Sequence, residues 1–240
     1  MDASWSALAA PALVDWCEPN YAVSARVAEW WNTLSSLAMV VMGLVGAWRV
    51  RRDGARFVIG MLGLAAVGAG SAAFHGTLLR VAQAADELPM VWLGLACVWA
   101  LADRARPAGA GRPLARTLAV FGVLFCVAYA TVPWAFHLFL AVYGAMVAWV
   151  AVRTMQLSWF PRAARPIRRW AALTVAGYLG GFFLFWVPEH VLLACDAAPQ
   201  AFHLHSWWHL GAGFGTYAWW TWALHDRRRA LADGTAAAAA

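Results

Sequence analysis

The chain has no lysine: all 18 of its positive side chains are arginines. Charge of either sign is scarce, at 12% of residues, while 63% are hydrophobic and the mean hydropathy is +0.60. A soluble core of 240 residues cannot absorb that much apolar surface behind so little charge. An ordinary soluble domain is therefore excluded, and an integral membrane protein is expected. No cleavable leader is legible, because the first 14 residues lack a positive start and their apolar stretch is weak and broken by proline. The first membrane helix is expected to direct insertion instead. No internal repeat is visible either, which leaves the inverted-repeat architecture of many transporters without support.

What the chain does have is apolar runs near the length needed to cross a hydrocarbon core of about 30 Å. Seven can be counted: Trp31–Val50, Phe57–Leu79, Leu88–Leu101, Leu114–Val132, Trp134–Val152, Trp170–Val187 and His203–Leu224. The third is short and can begin as early as Ala82. The expected fold is all-α, a seven-transmembrane helix bundle forming one domain over residues 1–230. Residues 231–240, ending in an alanine run, read as a low-complexity, disordered tail.

The arginines set the orientation. Clusters follow the first, third, fifth and seventh runs (Arg49 to Arg56, Arg104 to Arg116, Arg162 to Arg169, Arg227 to Arg229), whereas the other side holds Arg26, Arg80 and most of the acids. The positive-inside rule then puts the N-terminus outside and the C-terminus in the cytoplasm. The pI of 9.7 is accordingly a matter of topology and anionic-lipid contact rather than of nucleic-acid binding. All-arginine usage with abundant alanine resembles a high-GC genome and favours a bacterial plasma membrane.

Several titratable residues lie in or beside these runs, where a charged group at bilayer depth costs about 3 kcal/mol even on lenient scales. Ser71 and His75 are four apart, so a hydroxyl and an imidazole share one helix face. His205 and His209 have the same spacing near the start of the last run, which lets two imidazoles share one metal ion. Together with His75 they supply three nitrogen ligands and leave a fourth tetrahedral position for water, the arrangement of a catalytic zinc. Asp86 and Glu87 lie before Pro89, where acids also serve as ordinary helix caps. His203 points to another side of the last helix, as an interfacial or supporting residue. His137, His190 and His225 lack a helically spaced partner and read as structural. Arg80 is expected to snorkel outward.

The segment 15–29 carries a second constellation. Asp15, Glu18, Asn20 and Glu29 offer side-chain oxygens, and the Trp16 carbonyl can add another, which suits calcium and equally suits a solvated acidic stretch. Cys17 and Cys195 fall on the same outer side, where an oxidising compartment permits a disulfide.

Three stretches, Asp15 to Asn32, Gly68 to Met90 and Phe202 to Gly211, resemble the alkaline ceramidases in order and spacing. The resemblance spans nearly the whole chain. It implies a seven-helix membrane hydrolase, of a superfamily that includes adiponectin-type receptors, cleaving the amide bond of ceramide to a fatty acid and a sphingoid base. It implies zinc on His75, His205 and His209, with Ser71 and Asp86 beside it as catalytic residues. Calcium is implied on Asp15, Trp16, Glu18, Asn20 and Glu29. Trp186 to His190 depart from the family segment, which usually has an aspartate after the tryptophan, and leave the fit of the substrate open. Two alternatives stand beside ceramide hydrolysis: a lipid receptor with a structural zinc, and an amidase for another N-acyl lipid. The lipid bilayer and its lipids are the expected partners, and nucleic acid is not.

Overall fold

The computed structural model describes residues 10–106, 111–160, 163–193, 195 and 202–239, with side chains as far as 234. Among them the chain is all-helical and forms seven helices: α1 (Trp30–Arg49), α2 (Ala55–Thr77), α3 (Arg80–Ala102), α4 (Arg112–Thr131), α5 (Ala135–Trp159), α6 (Arg165–Leu192) and α7 (Leu204–Ala239). The first six are long and apolar enough to cross a membrane. The protein is thus a multi-pass membrane protein. α7 falls below that hydropathy because of its histidines, glycines and tryptophans. Its position makes this tolerable, since Ala218, Trp219, Trp220 and Trp222 are buried within the bundle rather than turned to lipid. The indole N–H groups of Trp219 and Trp222 donate to Thr154 Oγ1 at 2.8 Å and Ser158 Oγ at 2.9 Å on α5. A buried indole needs such a partner.

α1, α2, α3 and α7 pack closely, and α6 lies along α7. Small residues make the α6–α7 crossing possible: Gly177 and Gly181 face Gly215 and Gly211. A Cβ on Gly211 would stand 2.8 Å from the Gly177 carbonyl oxygen. Four-residue spacing of glycine on both helices is the usual means of close approach in membranes. α6 is α-helical only over Arg165–Thr174 and then contains three π-helical turns, Val175–Leu179, Phe182–Trp186 and Pro188–Leu192. Such turns shift the phase of the helix face and recur at functional sites.

α3 departs from the sequence expectation. It begins at Arg80, two turns before Leu88, so Asp86 and Glu87 lie within the helix and are not caps. Pro89 is inside it as well and cannot donate to the Ala85 carbonyl. That oxygen faces Gly70 of α2, where a Cβ would come within 1.9 Å of it. Arg80 does not snorkel away; its guanidinium donates to Tyr129 Oη at 2.7 Å. α7 continues through the alanine-rich end assigned above to a tail, in keeping with alanine's helix propensity.

The two ends of the bundle differ. One holds the arginines, joined to acids in Arg56–Asp103 at 2.6 Å, Arg104–Asp226 at 2.5 Å and Arg228–Asp53 at 2.5 Å. At the other, residues 10–29 lie over the α2–α3 turn, with Ala12 N bonded to Leu78 O at 2.9 Å and Arg80 N to Ala10 O at 2.8 Å.

Candidate metal centre and lipid cavity

His75, from the last turn of α2, meets His205 and His209, from the first turns of α7. All three are buried, at 1%, 4% and 4% exposure. Their ring centroids are 4.5 to 5.1 Å apart, and each offers a nitrogen within 4.8 Å of the others. Each Nδ1 already has a partner. Glu29 Oε2 accepts from His75, Ser35 and Ser36 hydroxyls lie 2.9 and 3.2 Å from His209, and His190 Nε2 lies 2.8 Å from His205. Nε2 is thereby left as the nitrogen that each ring offers. This is how metal-binding histidines are usually held, with the second nitrogen bonded outward to fix tautomer and ring plane. The donor set fits a zinc-type ion.

Ser71, one turn before His75, receives a hydrogen bond from Ser36 Oγ at 3.1 Å and faces the Asp86 carboxylate. Asp86 is half-buried and lines the cavity beside His205 and His209. Glu87 borders the same cavity, and its carboxylate accepts from Gln83 Nε2 and Tyr129 Oη, each at 2.7 Å. The two adjacent acids thus have separate partners: one meets Ser71, the other ties α3 to α4.

The cavity has a volume of about 470 Å³ and a mainly apolar wall that includes Met39, Leu64, Phe139, Phe182 and Trp208. Its polar groups are few. Besides Ser71, Asp86 and the histidines, the hydroxyls of Tyr143 and Tyr178 meet at 2.5 Å in its wall. Neither tyrosine is legible as a site residue in the sequence, because each comes from a different apolar helix with no local motif.

The acidic segment folds over this centre. Glu18 accepts from the backbone N–H of Trp31 at 2.7 Å and of Asn32 at 2.8 Å, satisfying donors at the start of α1. Asn20 Nδ2 donates to Asp15 Oδ2 at 2.9 Å, and Glu29 Oε1 accepts from Trp16 N at 3.1 Å. Among the described residues this set is not one of the tightest clusters of metal-binding side chains. Burial pushes the Asp15, Glu18 and Glu29 carboxyls upward, Glu29 to about 7, and Glu29 adds repulsion to the other two. Acids gathered in this way suit a bound cation of hard, oxygen-seeking type.

Trp16 contributes its ring as well as its backbone. The indole stacks on His205 at 4.7 Å and covers His190 at 4.5 Å. Cys17 and Cys195 form a disulfide with Cα atoms 5.0 Å apart, pinning this segment beside the end of α6. His203 packs on Trp31 at 5.4 Å, a supporting position. His190 corrects the sequence reading: it is no isolated structural histidine but touches His205. Spacing along one helix cannot reveal a partner on another.

These features define a multi-pass membrane protein whose buried histidine centre borders a mainly apolar cavity of about 470 Å³. The chain belongs to the ceramidase family, whose family model, described as Ceramidase, matches residues 9–235, and this makes it a hydrolase. It is 31% identical over 230 residues to alkaline ceramidase 3 of Mus musculus, covering 89% of this chain and 83% of that protein. To alkaline ceramidase YPC1 of Saccharomyces cerevisiae it is 29% identical over 232 residues, 85% of this chain and 73% of the relative. The putative alkaline ceramidase dcd3A of Dictyostelium discoideum is 25% identical over 243 residues, 87% of this chain and 84% of the relative.

Proposed function

We propose that the protein hydrolyses the amide bond of ceramide, or of a closely related N-acyl lipid, releasing a fatty acid and a sphingoid base. The observation that carries this reading is the convergence of three outwardly tethered histidines with Ser71 and Asp86 at the wall of an apolar cavity. His75, His205 and His209 would hold a zinc ion, which would supply Lewis-acid polarisation of the amide carbonyl and a bound water of lowered pKa. The Ser71 hydroxyl donates to the carbonyl oxygen as negative charge develops there. Asp86 takes the proton of the attacking water and returns it to the departing nitrogen, a role worth about 100- to 10,000-fold in rate. The apolar wall binds the hydrocarbon chains and keeps bulk water away from the site.

Asp15, Trp16, Glu18, Asn20 and Glu29 form the proposed calcium-binding segment, which fastens the outer end of the bundle and takes no part in bond cleavage. Arginine placement supports an N-terminus outside and a C-terminus in the cytoplasm, with α7 as the seventh span. A bacterial plasma membrane is the proposed location.

The deciding experiment incubates purified protein with ceramides and other N-acyl lipids, with and without a chelator, and measures released fatty acid. Release from ceramide that stops with the chelator and returns with added zinc is expected. Silence across the panel from zinc-loaded protein would overturn the hydrolase reading in favour of a lipid receptor.

A further inference from the structure

The end of α6 touches His205 twice. Glu189, 2% exposed, accepts the backbone N–H of His205 with its carboxylate, holding the start of α7. Its Oε2 is buried without a hydrogen-bond partner, 3.5 Å from His190 Nε2. His190 takes the ring: its Nε2 is 2.8 Å from His205 Nδ1, and its own Nδ1 is 3.4 Å from Cys17 Sγ.

The disulfide favours one direction for this chain. A disulfide sulfur has lone pairs and no hydrogen, so it can only accept, and the His190 tautomer that bonds to it carries its proton on Nδ1. His190 Nε2 then presents a lone pair and accepts from His205 Nδ1–H. His205 in turn has its unprotonated Nε2 towards His75 and His209. The Trp16 indole packs against both rings.

We propose that His190 is a positioning residue that fixes the tautomer and ring plane of His205, so that His205 Nε2 is available as a metal ligand. The proposal rests on the zinc reading above and extends it. His75 has a carboxylate behind it and His209 two hydroxyls; His205 has an imidazole held by a disulfide sulfur. The same geometry makes metal affinity depend on a residue outside the ligand set.

Two variants separate hydrogen bonding from packing. His190→Leu keeps bulk beneath Trp16 and removes the acceptor, whereas His190→Gln keeps an acceptor near the position of Nε2. Zinc per chain would be measured by elemental analysis of detergent-purified protein, and affinity by competition with a chromophoric chelator. One zinc per wild-type chain is expected, bound roughly 10- to 100-fold more weakly by His190→Leu, as for other partners of metal-bound histidines. His190→Gln should recover most of that loss, and the unfolding midpoint without zinc should match the wild type in both. At saturating zinc, KM for the lipid should be unchanged.

Equal zinc affinity in wild type and His190→Leu would overturn the positioning role while leaving the hydrolase reading intact, as would a His190→Gln variant as weak as His190→Leu. Two ions per wild-type chain, one of them lost in His190→Leu, would overturn it in favour of a second metal site on Glu189, His190 and His205. A wild type that binds no zinc would overturn both readings.

Discussion

Glu29 joins the acidic segment to the histidine centre: its Oε2 accepts from His75 Nδ1, while its Oε1 accepts from the backbone N–H of Trp16. Fully buried, it also holds Asn32 Nδ2 at 3.0 Å. A single carboxylate is thus shared by the acidic segment and the histidine centre, and the two sites are expected to be coupled. In wild type, added calcium should raise the thermal midpoint, because an ion that binds only the folded state stabilises it. Glu29→Gln should lose most of that rise and bind zinc roughly 10- to 100-fold more weakly. A calcium-induced rise of full size in Glu29→Gln, measured by thermal unfolding in detergent, would show that the carboxylate does not bridge the sites.

Asp86 and Glu87 offer a comparison between neighbours. Asp86→Asn removes the group that faces Ser71 and the cavity, and should lower kcat by about 100- to 10,000-fold with an unfolding midpoint near that of the wild type. Glu87→Leu removes the acceptor of the Gln83 amide N–H and the Tyr129 O–H, at a cost of about 1 to 3 kcal/mol for each donor left unpaired. Its midpoint should fall while kcat at a permissive temperature stays within a few-fold. Reversal of the two patterns would mean that the catalytic and structural roles have been assigned to the wrong acids.

Gly70 should tolerate no side chain. The Ala85 carbonyl, freed by Pro89, occupies the space a Cβ would take, and both atoms belong to backbones that move only with their helices. Gly70→Ala should therefore destabilise by about 1 to 3 kcal/mol or more through overpacking. At Gly180 no atom lies within 4 Å of an added Cβ, so Gly180→Ala is the matched control and should leave the midpoint unchanged. Equal midpoints for the two variants would contradict the close approach of α2 and α3.

Much of this arrangement was legible because its signals are local. Hydropathy located the helices, and the four-residue spacing of His205 and His209 placed them on one face. His75 could be added because an imidazole in an apolar run needs a reason. The start of α3 was placed late, at Leu88 or at the earliest Ala82, since Gln83, Asp86 and Glu87 dilute the hydropathy there; Gln83 and Tyr129 donate to Glu87, and Asp86 meets Ser71. His190, Tyr143 and Tyr178 were missed for a different cause. Their partners lie on other helices, and α6 changes phase through its π-helical turns, so no fixed period relates His190 to the face that meets His205.

The disulfide gives the last prediction, because it joins residues 178 apart and lies against His190. Loss of a bond that closes a long loop typically costs about 2 to 4 kcal/mol in soluble proteins. Here the helices are held by the membrane, so the loss should appear first at the end of the bundle that carries residues 10–29. During titration with a reductant, activity and zinc affinity should fall while helix content measured by circular dichroism stays constant. A Cys17→Ser and Cys195→Ser double variant should behave as the reduced protein and no longer respond to the reductant. Full activity in protein shown by mass spectrometry to carry both thiols reduced would mean that the α6 end keeps its place without the bond. The order of Trp16 over His205 would then have to come from the stacked rings alone.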